Sequence, residues 1–205
     1  MSDEQTKREP IRRRRRRLVD AELSADEGIA LLESVGVPYA LAGYLAVVHY
    51  VPPSAERHTK DADFAVPYGY SEKAARAAEK AGYSVRPLPI GGYELSKPGV
   101  PIDLIDRHPR LDKLFADAVQ AAAEQRKDPQ DVPVVPLNYL ITMKMVTGSR
   151  KDTQDVEDML MQVPDGEYPA IRQTVDRYLG IAAVERLDDL ARSVGIASAG
   201  RRYKI

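Results

Sequence analysis

The sequence predicts an α+β fold: a small mixed β-sheet flanked by helices, followed by a helical C-terminal half. Three observations carry this reading. Between Pro38 and Ile105, short alternating or apolar runs are punctuated by Gly and Pro, which is the pattern of strands and tight turns. Beyond Arg107 the apolar residues recur at helical spacing. No segment repeats at a fixed period, which argues against a solenoid.

Taken in order, Ser24 and Glu27 stand at capping-box spacing ahead of Ile29, Leu31 and Leu32, and Gly36 stops the helix they begin. Tyr39 to Ala42 reads as a buried strand, Gly43 as a turn, and Tyr44 to Tyr50 as a helix closed by Pro52 and Pro53. Asp61 to Val66 alternates as a half-buried strand does, with both acids on one face. Ser71 caps a helix to about Ala81, and strands follow at Tyr83 to Arg86, Tyr93 to Lys97 and Val100 to Ile105. Pro98-Gly99 supplies the type II turn that makes the last two strands a hairpin. Helices are expected at Arg110 to Gln125, Leu137 to Thr147, Thr153 to Gln162, Pro169 to Leu179 and Ala182 to Val194, with a Val132 to Val135 connector.

At 205 residues, 43% hydrophobic and 30% charged, the chain is a globular domain with an appendage, not a fibrous or disordered one. Its near-neutral charge conceals an asymmetry. Residues 1–17 hold eight basic groups, Arg12 to Arg17 among them, against three acidic, leaving 22 against 28 in the remainder. We divide the chain into a basic, disordered tail (1–20), an α+β core (21–130) and a helical region (131–205). The arginines read either as a solvated arm or as an anchor for phosphate. With no cysteine, disulfides, thiolate metal sites and cysteine nucleophiles are excluded. No apolar h-region follows the basic start, and the uncharged stretch Ser34 to Ala55 is broken by Pro and Gly, so neither a secretory signal nor a membrane span is expected. The expected location is the cytoplasm.

The chemistry centres on acids. Asp61 and Asp63, one residue apart on a strand, repel unless a cation bridges them. Asp103, between Ile102 and Leu104 on a neighbouring strand, is the obvious third ligand for Mg²⁺, or Mn²⁺ in its place. Such a trio suits two metals about 3.5–4 Å apart, acting on a phosphoryl group. Each residue also has a structural reading. Asp103 with Asp106 can end a strand in solvent, and Lys144 can lay its stem along the core. Asp152 and Asp155 suit the positive end of a helix dipole and are assigned to structure. His49, His58 and His108 lack metal-site spacing, and Tyr44 and Tyr93 are candidates to stack on a base.

Leu41-Ala42-Gly43-Tyr44, the string Arg57-x-Thr59-x-Asp61-x-Asp63, Ile102-Asp103-Leu104-Ile105, Leu140 to Lys144 and Arg150-Lys151-Asp152-x-x-Asp155 together resemble the nucleotidyltransferase superfamily of polymerase-beta-like fold. Within it the chain looks like the AbiEii-like and related small prokaryotic proteins, several of them toxins of toxin-antitoxin systems. The resemblance covers roughly residues 35 to 162. It implies that Asp61, Asp63 and Asp103 are catalytic and hold the metals, with Asp103 assisting deprotonation of the acceptor. It further implies that Ala42, Gly43, Tyr44, Arg57, Thr59 and Lys144 bind the nucleotide. Where many members carry Gly-Ser or Gly-Gly at the turn, this chain has Gly43-Tyr44, which removes one hydroxyl contact. The implied partners are an NTP, an RNA, protein or small-molecule acceptor, and an antitoxin or other cognate protein. The alternative is a catalytically weak module of the same fold that binds nucleotide or a partner. A third reading makes the arginine tail primary and the chain a nucleic-acid binder.

Overall fold

The computed structural model of the chain describes residues 11–107, 110–164 and 166–196, and of 11–20 the backbone alone. The fold is α+β, as expected. Helix α1 (Ile11–Ser34) leads into strand β1 (Ala40–Leu41), helix α2 (Gly43–Val48), a 3-10 turn (Pro53–Ala55), strand β2 (Ala62–Ala65) and helix α3 (Ser71–Lys80). Strands β3 (Ser84–Pro87), β4 (Tyr93–Lys97) and β5 (Val100–Ile105) complete the sheet. Helices α4 (Asp112–Gln125), α5 (Leu137–Thr147), α6 (Arg150–Leu160), α7 (Tyr168–Leu179) and α8 (Ile181–Ser193) follow.

The five strands lie in the order β1-β2-β5-β4-β3. Only β2 and β5 run parallel, and their register sets Asp63 beside Asp103. The β4–β5 hairpin pairs Lys97 with Val100 across the Pro98-Gly99 turn. In β5, Val100, Ile102 and Leu104 are buried while Pro101, Asp103 and Ile105 are only partly so. This two-residue period sends the apolar set to one face and Asp103 to the other.

Two cores result. On one face α1 and α3 cover the sheet, with Leu31, Leu32, Ala74 and Ala78 packed with Phe64, Leu95, Ile102 and Leu104. A Cβ added at Gly28 of α1 would lie 2.4 Å from Phe64 Cε2, so glycine there lets the helix approach the sheet. The second core joins Ala40, Ala42 and Ala65 to α2 and α4 through α8, with Leu140, Ile141, Met159, Leu160, Tyr168 and Leu187 buried. The Val132 to Val135 connector docks on β1, where Leu41 N–H donates to Pro133 O at 2.7 Å and Val135 N–H to Leu41 O at 2.9 Å.

Three expectations are corrected. The first helix starts at Ile11, not beyond Ser24, so Arg12 to Arg17, expected to be disordered, are helical in backbone. Arginine is a good helix former, and the packed part of α1 supplies a template to extend. Ser24 lies buried inside this helix, and Glu27 accepts from the Tyr83 hydroxyl instead of closing a capping box. Ser71 is the first residue of α3, and its hydroxyl donates to the buried Asp106, which therefore does not end its strand in solvent. His108 and residues 1–10 lie outside the described residues.

Candidate active site

The site begins with a turn that only glycine can make. Gly43 opens α2 at φ +56°, and a Cβ placed on it would fall 1.7 Å from Asp63 Oδ2. The backbone of Ala42 is tied beneath it, its N–H donating to Asp63 O at 2.8 Å. The turn at the end of β1 is thereby clamped against the acid-bearing end of β2.

Asp61, Asp63 and Asp103 converge. Each is half-buried, and one carboxylate oxygen from each lies within 4.8 Å of the others. Thr59, itself buried, orients one of them, its hydroxyl donating to Asp61 Oδ1 at 2.5 Å. Burial first, then the charges of Asp61 and Asp103, push the Asp63 carboxyl up to about 7. Burial, then Asp61 and Glu94, push Asp103 up to about 6. Repulsion among carboxylates held in place by the fold is the electrostatic condition that a divalent cation relieves. The donor set is all carboxylate oxygen, which suits a hard cation such as Mg²⁺ or Mn²⁺ better than a thiolate- or imidazole-seeking metal.

The cations beside the trio are not free. Arg57 donates from Nε and Nη2 to the two oxygens of Asp155, at 3.0 and 2.9 Å. Lys144 Nζ reaches the same carboxylate at 2.7 Å and Asp152 at 3.0 Å. Asp155 is 1% exposed and Lys144 10%, while the Arg57 side chain keeps 34% of its surface in solvent. Asp152 is fixed in turn by Ser149 and Thr147, whose hydroxyls donate to it at 2.6 and 2.7 Å, and these bonds hold its pKa below the usual range despite burial. The acids assigned from sequence to a helix dipole therefore position the two basic groups nearest Asp63. Both Lys144 and Arg57 act to lower the Asp63 pKa.

Tyr44, a candidate base-stacking residue from sequence, is 4% exposed; its ring lies under the Arg57 guanidinium at 3.8 Å, and its hydroxyl accepts the Arg57 backbone N–H. Tyr44 thus fastens the 53–60 loop to α2. Tyr93, on β4, is partly buried. His58, set aside from sequence, has an Nδ1 that is buried without a hydrogen-bond partner. It lines a polar cavity of ≈380 Å³ together with Tyr44, Arg57, Thr59, Lys60, Asp61, Asp63, Lys144 and Lys151.

No known family matches the sequence, nor does any curated protein. Among solved structures the chain is similar to the solution structure of the antibiotic-resistance factor ANT(2'')-Ia, at 17% identity over 83% of this chain and 90% of that one, with a TM-score of 0.48. It is similar also to the crystal structure of ANT(2'')-Ia in complex with adenylyl-2''-tobramycin, at 15% identity over 83% and 94%, with a TM-score of 0.45. Among the described residues no helix is long and apolar enough to cross a membrane.

Proposed function

We propose that the chain is a metal-dependent nucleotidyltransferase, moving a nucleoside monophosphate from an NTP to an acceptor hydroxyl. The observation that carries this reading is the convergence of Asp61, Asp63 and Asp103 around a point shared with the Gly43 turn. In the reaction, the acceptor oxygen bonds to the α-phosphorus, the bond from that phosphorus to the bridging oxygen of the β-phosphate breaks, and pyrophosphate departs. Divalent cations held by the three aspartates would supply charge neutralisation and polarisation of the phosphoryl group. The protein's own part is positioning. Asp103 accepts the proton of the acceptor hydroxyl. Asp61 is held by Thr59, and Asp63 is held against Gly43. Arg57 and Lys144, fixed by Asp155, balance negative charge as it moves toward the leaving group.

A module that binds nucleotide without transferring it is the second reading. It is favoured by Tyr44, which faces inward where many members of the resembled superfamily place a Ser or Gly. Transfer of label from α-³²P NTPs, with Mg²⁺ or Mn²⁺, into total RNA, total protein and a panel of hydroxylated small molecules separates the two. Labelled product with the parent and none with Asp63→Ala supports transfer. Equal labelling by both defeats it, and binding of NTP with no labelling favours the module.

A further inference from the structure

Resting on the nucleotidyltransferase reading, we infer that the acceptor is a single-stranded RNA, held by the arginine-bearing turns of α1 and led past Lys60 and Lys151 to the carboxylate trio.

Arg12 to Arg17 are six consecutive residues of α1. Each stands three or four positions from another, the spacing at which like charges weaken a helix. Consecutive positions of a helix go round its axis, so six of them leave no apolar stripe to lay on a sheet or in a lipid surface. Further along α1 such a stripe exists, and Ala21, Ala25, Leu31 and Leu32 are buried. Beyond residue 17 the chain holds 22 basic against 28 acidic groups. A polyanion is therefore repelled by the body and drawn to this helix.

Topology sets the block near the site. Helix α1 leads through residues 35–39 to Ala40, which pairs with Ala65 at the far end of β2. It thus runs the same way as β2, with Gly28 over Phe64. Glu27 lies 4.0 Å from Lys97, which pairs with Val100 at the start of β5, beside the start of β2. Going back from Gly28, Arg17 is roughly 16 Å and Arg12 roughly 24 Å away along the helix, whereas Phe64 to Asp61 is roughly 10 Å of strand. The arginine turns therefore stand beyond the end of the sheet at which β2 begins. The 53–60 loop enters β2 at that same end. There Lys60 and Lys151, both exposed and in no ion pair among the described residues, line the polar cavity with Asp61 and Asp63.

The block is arginine throughout, without a lysine. A guanidinium forks onto a phosphate and stacks on an unpaired base, and single-stranded RNA offers both along its length. Its terminal ribose also carries two neighbouring hydroxyls. The oxygen of one bonds to the α-phosphorus as pyrophosphate leaves, and its proton passes to Asp103.

The test uses the full chain and two variants: a full one, Arg12→Gln through Arg17→Gln, and a half one, Arg12→Gln, Arg14→Gln and Arg16→Gln. Glutamine propagates a helix as well as arginine does, so thermal unfolding of both should match the parent. Fluorescence anisotropy measures binding of a single-stranded RNA of roughly 20 nucleotides, longer than a typical single-strand site. DNA of the same sequence, polyglutamate and phosphatidylserine vesicles are the other arms. Six contacts to a single strand contribute about −4 to the slope of log affinity against log salt, so the parent should lose at least roughly 300-fold between about 50 and 200 mM salt. That slope should shrink by about 2 in the half variant and about 4 in the full one. With labelled NTP, the full variant should raise the KM for RNA at least roughly 100-fold and keep kcat, the signature of lost uniform binding. An RNA affinity and salt slope unchanged in either variant overturn the inference, as does a parent that binds DNA, polyglutamate or vesicles as tightly as RNA. RNA bound by the parent but labelled with no NTP removes the nucleotidyltransferase reading and with it RNA as acceptor, while the binding surface stands. RNA labelled equally by parent and full variant at limiting RNA keeps that reading and overturns this one.

Discussion

Replacing Asp63 with Asn is expected to stabilise the metal-free protein above neutrality while removing its response to divalent cations. The Asp63 carboxyl is pushed up from 3.8 to about 7 by burial and by its two acidic neighbours. The folded chain therefore holds this proton more tightly than the unfolded chain does. Its contribution to stability is complete below about pH 4, declines as pH rises, and is lost above about pH 7. A gap of about three pH units corresponds to roughly 4 kcal/mol. The amide must still be desolvated, which leaves a gain of roughly 2–4 kcal/mol. In a chain of this size that raises the melting temperature by roughly 5–10 °C. Calorimetric melting of parent and variant, in EDTA and in saturating MgCl₂, at pH 4 and pH 8, reads the effect. The variant should melt higher at pH 8 in EDTA, match the parent at pH 4, and gain nothing from Mg²⁺ where the parent gains. A variant that melts lower at pH 8, or that Mg²⁺ stabilises as much as the parent, refutes the reasoning.

Gly43→Ala places a methyl group on Asp63 in a backbone region that costs a non-glycine residue about 1–2 kcal/mol, so denaturant titration should register at least that loss. The same variant should lose roughly 10- to 100-fold in Mn²⁺ affinity by calorimetry, because a group that orients a ligand has been displaced. Asp155→Asn leaves Arg57 and Lys144 without their shared buried carboxylate and should cost roughly 3–5 kcal/mol in urea unfolding; unaltered stability contradicts the ion-pair network. Metal binding should strengthen with pH, since Asp63 near 7 and Asp103 near 6 must shed protons before they coordinate. Calorimetry of Mg²⁺ binding in buffers of different ionisation enthalpy should therefore record proton release at pH 6 and little at pH 8.5, whereas release that does not change with pH removes the carboxylates as ligands.

What was legible in the sequence was local or periodic. Val100 to Ile105 was legible as a strand with Asp103 between Ile102 and Leu104, and the two-residue spacing of Asp61 and Asp63 placed them on one side of theirs. Gly43, read as a turn, is one because its missing Cβ leaves room for Asp63. The illegible parts depend on contacts far apart in the chain. Arg57 and Asp155 are 98 positions apart, and nothing near Asp155 distinguishes an acid serving a helix dipole from one holding a guanidinium. A lysine at the end of one helix with acids at i and i+3 of the next was the available signal. Tyr44 was read as a candidate platform for a base, but nothing local to it announced that the guanidinium of Arg57, thirteen positions on, would cover its ring. Ser24 and Glu27 matched a helix start because the motif is purely local, while α1 continues through them as it packs on the sheet.

The most direct measurement is the anomalous scattering of Mn²⁺ in crystals of the full chain grown with a non-hydrolysable NTP analogue. The account predicts manganese bonded to oxygens of Asp61, Asp63 and Asp103, next to the Gly43 turn. Manganese bound elsewhere, with these three carboxylates bare, would contradict it.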